Sequence, residues 1–128
     1  VLGTLQFDDG NWLGFEGNDA EMVMDFEEMT EISSVKIGFL QDQASWIFLP
    51  EKVTIEVADS DKQFQAIKTI QHKIEKNDKP SRIDCGFAGK NQNARYIRIT
   101  AKNIQSCPKW HPGDGGKAWM FCDEIVVE

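Results

Sequence analysis

The sequence predicts an all-β fold, an antiparallel β-sandwich, on three observations. Seven or eight short stretches alternate apolar and polar residues with a period of two. Polar turns separate them at short intervals, and no stretch sustains the 3.6-residue period of a long helix. At 128 residues the chain is one domain, spanning 1–128, long enough to bury a core without covalent staples.

Residues 1–19 contain Gly3, Gly10, Gly14 and Gly17 and read as a looped opening segment, with a turn signal at Asp9-Gly10. Trp12, Leu13 and Phe15 are too apolar for a free tail and are expected to pack on the sheet. Residues 20–26 read as a strand with Met22, Met24 and Phe26 on one face, although their Glu and Met content also suits a short helix. Residues 32–40 form a clearer strand, with Val35, Ile37 and Phe39 opposite Ser34, Lys36 and Gly38. A polar break at 41–45 leads to an apolar segment, 46–49, closed by Pro50. The stretch Val53-Thr-Ile-Glu-Val57 has the cleanest alternation in the chain and is expected to form a hairpin with residues 64–70 across the turn at Asp59 to Lys62.

The window 71–79 is the most charged and reads as a solvated connection or a lysine-protected edge. His72 lies in it with no cysteine or second histidine at ligand spacing. Residues 82–87 and 94–101 read as strands separated by a turn at 89–93, the second with Ile97, Ile99 and Ala101 on one face. Pro108, Pro112, Gly113, Gly115 and Gly116 then forbid regular structure up to about Lys117. Trp119, Phe121, Ile125 and Val127 fall on alternate positions, like one buried face of a closing strand. Structureless connections of about a dozen residues are uncommon in compact domains unless functional or disordered, and the rings of Trp110 and His111 argue against disorder. The loop is expected to help build a binding surface.

Twenty-one acidic against fourteen basic residues give a net charge of −7, which opposes binding to nucleic acid or anionic lipid surfaces. No apolar run approaches the roughly 18 to 20 residues of a membrane-spanning helix, and no secretory signal opens the chain; a module cut from a longer precursor would lack one too. Cys85, Cys107 and Cys122 make no metal-type pair. They read as buried small hydrophobes, with a bridge between Cys107 and Cys122 left open.

Acids such as Asp9, Glu16, Asp25, Asp123 and Glu124 offer carboxylate pairs, as any acidic chain does, but no nucleophile elbow, phosphate-cradling loop or zinc-protease motif accompanies them. The chain therefore reads as non-catalytic. The aromatics carry more. Of the four tryptophans, Trp12, Trp46 and Trp110 fall in loops or at loop edges. A sugar ring has an apolar C–H face that lies against an indole, and hydroxyls that need convergent donors and acceptors such as Asp42, Gln43 and His111. Trp46, Trp110, His111, Asp42 and Gln43 are the candidate sugar-binding residues. His111 has an alternative use, donating a structural hydrogen bond within its loop.

Several segments carry a resemblance: Asp9-Gly-Asn-Trp-Leu-Gly-Phe-Glu-Gly17, Val23-Met-Asp-Phe26, Gly38-Phe-Leu-Gln-Asp42, Ser45-Trp-Ile-Phe-Leu-Pro50, Ala94-Arg-Tyr-Ile-Arg98, Trp110-His-Pro-Gly113 and Ala118-Trp-Met-Phe-Cys-Asp-Glu-Ile125. Over nearly its whole length the chain resembles the discoidin-like modules, also called coagulation factor type C domains, which include the family 32 carbohydrate-binding modules. More narrowly, it is similar to the module at the C-terminus of Bacteroidetes family 20 β-N-acetylhexosaminidases, the chitobiase-like enzymes. The resemblance implies a galactose-binding-like jelly roll. It also implies a structural Ca²⁺ held by Thr4, the backbone carbonyl of Asp123 and the side chain of Glu124, without the aspartate that usually precedes this threonine.

The resemblance further implies an accessory module of an exported, periplasmic or outer-membrane-associated glycoside hydrolase. Such a module binds glycans ending in galactose or N-acetylhexosamine. At about 0.3 kcal/mol per heavy atom a monosaccharide gains roughly −4 to −5 kcal/mol, near millimolar, and a monomeric module of that affinity works by raising the effective concentration of its linked enzyme. The rival expectation is a docking module that packs against its parent catalytic domain and binds no sugar. A solvent-facing concavity at Trp46 and Trp110 favours the first; a flat apolar patch favours the second.

Overall fold

A computed structural model describes residues 3–8 and 10–128; the expected turn at Asp9-Gly10 thus lies, at Asp9, outside the described residues. The fold is all-β and antiparallel. Its strands are β1 (Leu13–Glu16), β2 (Ala20–Gln41), β3 (Lys52–Ala58), β4 (Gln65–Gln71), β5 (Ser81–Lys102) and β6 (Trp119–Val127), with one 3₁₀ turn at Gln43–Ser45. They hydrogen-bond in the order β1-β6-β2-β5-β3-β4.

The sandwich comes from two strands of 22 residues each that serve both layers. Residues 20–25 of β2 pair with 96–101 of β5, which carries β3 and then β4 on its far side. Residues 34–41 of β2 pair with 81–88 of β5 and, along the other edge, with β6 and then β1. Register breaks between Asp25 and Thr30 and between Ile32 and Ser34 separate the two halves. Such bulges bend a strand pair and let it change layer. The turn expected at 89–93 is one of these bends: Gly89, with φ +87°, lets β5 swerve without ending.

One core joins the halves. Ile37, Phe39, Cys85, Met120 and Cys122 from one layer meet Val53, Ile55, Ile97, Ile99 and Ala101 from the other, all buried in one cluster. The alternation expected for 32–40, 53–57 and 94–101 therefore holds, and β3 and β4 form the expected hairpin. A smaller cluster of Phe48, Cys107 and Ala118 sits under the closing loop. All three cysteines are buried and free, so no Cys107–Cys122 bridge forms; the two belong to different clusters.

Two sequence expectations need correction. Residues 13–16 are not loop but an edge strand on β6, with Leu13 opposite Cys122 and 62% exposed rather than packed on the sheet as expected. In β6 the core face is Met120 and Cys122, while Trp119 and Phe121 lie half-buried on the other side, ring to ring at 5.7 Å. The alternation reverses because Phe39 pairs with Cys122 and Ile37 with Ile125, so β6 spends an extra residue at 123–124. That bulge returns Ile125 and Val127 to the core and turns Asp123 inward.

Candidate functional site

The 3₁₀ turn ends on Trp46, whose backbone is left-handed at φ +66°. That conformation is uncommon for a bulky residue and persists only where surroundings fix it. The Trp46 N–H donates to the Gln43 carbonyl at 3.0 Å, and its own carbonyl accepts from Trp119 N–H at 2.9 Å. The indole lies on the glycine loop: a Cβ at Gly113 or Gly116 would sit 2.7 or 2.8 Å from its ring. These glycines let an aromatic ring rest on the backbone.

His111 sits behind this pair. Its Nδ1 accepts from Gly113 N–H at 2.9 Å, so Nε2 carries the proton and donates to the Gln43 carbonyl at 2.6 Å. Both ring nitrogens are thus committed, and the residue is only 6% exposed. Its edges meet Phe48, Trp46 and Trp110 with centroids at 5.1, 5.9 and 6.2 Å. His111 therefore takes the structural alternative raised above, bracing the tryptophans. Trp46 and Trp110 are each 40% exposed.

The two indoles flank a concave cleft of about 410 Å³ lined also by Gln43, Ala44, Lys76, Asn77, Asp78 and Pro112. The expected set Trp46, Trp110, His111 and Gln43 is thus brought together. Asp42 is not in the lining. Its carboxylate accepts from Ser45 Oγ at 3.2 Å and its carbonyl caps Ser45 and Ile47, so it shapes the turn beneath Trp46. Lys76, Asn77 and Asp78 were not foreseen, because a charged window reads as solvated; only the buried contact to Gln43 reveals its place. A second concavity, about 360 Å³, lies beside Cys85, Phe87 and Glu128, and no tryptophan lines it.

The residues implied for calcium lie elsewhere. The Asp123 carboxylate is fully buried and accepts four hydrogen bonds: from Gly3 N–H at 3.0 Å, Gly38 N–H at 2.9 Å, and Arg82 Nε and Nη2 at 3.0 and 2.7 Å. Arg82 passes over Gly38, where a Cβ would collide with its guanidinium. Burial pulls the Arg82 pKa down, but its hydrogen bonds to Asp123 and Asp84 outweigh this and leave it above its ordinary value. Thr4 gives its carbonyl to Trp12 Nε1 at 3.0 Å and its Oγ1 to Gln6 N–H at 3.2 Å. Among the described residues no group of three or more His, Cys, Asp or Glu side chains is placed to hold a metal. The charge facing the Asp123 carboxylate is a guanidinium, whereas the resemblance assigns calcium to the Asp123 backbone carbonyl, Thr4 and the Glu124 side chain.

Near the β1 edge, Leu5, Phe7 and Leu13 are exposed, Phe7 with its ring against Phe121 at 6.0 Å. None of them lines the cleft. Among the described residues no helix is long and apolar enough to cross a membrane.

No protein-family model and no curated protein matches the chain. Solved structures do. A GH29 fucosidase of Ruminococcus gnavus in complex with fucose aligns with TM-score 0.59 and 17% identity over 96% of this chain and 21% of its own. The CBM32 of AlyQ in complex with 4,5-unsaturated mannuronic acid aligns with TM-score 0.54 and 15% identity over 94% of this chain and 81% of its own. The C-terminal domain of a Bacteroides fragilis chitobiase aligns at TM-score 0.39 and 14% identity over 87% of this chain and 66% of its own, too distant to carry an argument. The chain spans about a fifth of the fucosidase's length. The all-β sandwich is therefore a fold shared with the CBM32 of AlyQ and with part of the fucosidase.

Proposed function

We propose that the chain is a non-catalytic carbohydrate-binding module, that the cleft between Trp46 and Trp110 is its sugar site, and that it serves a linked glycoside hydrolase of the β-N-acetylhexosaminidase type. The observation that carries the reading is the cleft itself: two partly exposed indoles and a polar segment line one space of sugar size. Stacking on an indole uses the apolar face of a ring, and the polar wall takes hydroxyls. The ligand in this reading is a terminal galactose or N-acetylhexosamine, bound near millimolar, and the module keeps its enzyme close to such ends. The exported, periplasmic or outer-membrane setting and the parent enzyme rest on the sequence resemblance.

Titrating the isolated domain with N-acetylglucosamine, N-acetylgalactosamine and galactose, while following the indole N–H resonances, tests this. Saturable shifts at Trp46 and Trp110 are expected; folded protein with unmoved indoles would refute the reading. The exposed Leu5, Phe7 and Leu13 favour a second reading, docking onto the parent catalytic domain. Because they do not line the cleft, replacing them with serine separates the two: sugar binding persists while docking weakens.

A further inference from the structure

We infer that the segment 76–78 is the specificity-determining wall of the cleft for a neutral sugar, and that buried Gln43 is the positioning residue that holds it there. The inference rests on the cleft being the sugar site. Gln43 is 6% exposed and therefore does not serve as an open contact. Its side chain spans to a distant loop: Nε2 donates to the Glu75 carbonyl at 2.8 Å and Oε1 accepts from Asn77 N–H at 3.0 Å. Its main-chain carbonyl accepts from both His111 Nε2 and Trp46 N–H. One residue thus fixes the polar wall, the exposed indole of Trp46 and, through His111, the loop carrying Trp110.

The wall is closed on its far side by an Asx turn, in which Asn77 Oδ1 accepts from Lys79 N–H at 3.0 Å. Among the described residues, the Lys76 ammonium, the Asn77 amide nitrogen and the Asp78 carboxylate make no hydrogen bond or ion pair, although all three residues line the cleft. The neighbouring ion pair, Lys73 to Glu75, leaves them out. Two donor groups and one acceptor group are therefore left open on exposed residues that line the cleft. An indole reads the apolar face of a ring and distinguishes epimers poorly; donors and acceptors placed at fixed points distinguish them well, because a misplaced hydroxyl leaves a partner unpaired. One cation and one anion leave the wall without net charge, so it suits a neutral hexose or N-acetylhexosamine over a uronate.

The test compares galactose, N-acetylglucosamine, N-acetylgalactosamine and glucuronate by the same indole titration on wild type, Trp110→Ala, Lys76→Ala, Asp78→Ala and Gln43→Met. Wild type is expected to bind at least one neutral sugar fivefold or more tightly than glucuronate. Trp110→Ala should weaken every sugar by a similar factor. Lys76→Ala and Asp78→Ala, on exposed residues, should leave the melting temperature unchanged and alter the ratio of affinities among sugars by fivefold or more. Gln43→Met should weaken all sugars and speed hydrogen exchange at Asn77 N–H. A ranking unchanged within twofold in both wall variants, with Trp110→Ala still defective, overturns the inference and leaves the sugar site standing. No saturable shift with any sugar in wild type overturns both.

Discussion

Replacing Arg82 by methionine isolates the interaction that closes the N-terminal segment and three strands onto one another. The substitution keeps most of the apolar stem and removes the guanidinium from beside a carboxylate with no exposed surface. Asp123 then keeps two backbone donors, Gly3 and Gly38, and loses both side-chain donors. Stranding one partner of a buried pair costs about 3 to 5 kcal/mol; the lower end applies here because the Arg82 side chain retains 19% exposure and water can reach the gap. The Arg82 to Asp84 pair, with Asp84 40% exposed, adds under about 1 kcal/mol. For a domain of this size about 3 kcal/mol lowers the melting temperature by roughly 10 to 15 °C. Urea denaturation and calorimetry of wild type, Arg82→Met, Asp123→Leu and the double variant measure it. The double variant should be more stable than Arg82→Met, since no charge is left stranded. A loss below about 1 kcal/mol in Arg82→Met would refute the account.

Further outcomes follow from packing and burial. Gly113→Ala places a methyl 2.7 Å from the Trp46 ring, so the indole must lift. Overpacking of this kind costs about 1 to 3 kcal/mol, and red-shifted tryptophan emission with weaker sugar binding is expected; unchanged emission would argue against the stacked geometry. Burial pushes the Cys85 and Cys122 thiols up to about 11 from 9.0 and raises that of Cys107. At pH 8 a thiol reagent should leave all three unmodified until the protein is unfolded. The folded thiols hold their protons more tightly than the unfolded ones, so their contribution to stability is whole below about pH 9 and is lost as pH rises toward 11. Urea midpoints that stay flat across that window would contradict this.

The fold was legible wherever one face of a strand meets the core and the other meets water. Val35, Ile37 and Phe39, or Ile97, Ile99 and Ala101, show the alternation because burial imposes it. Residues 13–16 escaped detection because an edge strand with Leu13 and Gly14 outside carries little alternation. The face of Trp119 and Phe121 was misassigned because a bulge reverses the pattern within one strand, and periodicity assumes none. At the site, loop position and residue type singled out Trp46, Trp110 and Gln43, which the structure brings to one cleft. Their division of labour was not legible, since nothing local says that Gln43 reaches Glu75 and Asn77 or that His111 spends both nitrogens on backbone. Those are long-range pairings, fixed only when the loops meet.

The most direct test of the central claim is the indole N–H titration of the folded wild-type domain with neutral monosaccharides up to tens of millimolar. The account predicts saturable, millimolar shifts confined to Trp46 and Trp110, with Trp12 and Trp119 unmoved. Stationary resonances at Trp46 and Trp110 for every sugar, in protein shown to be folded, would contradict it.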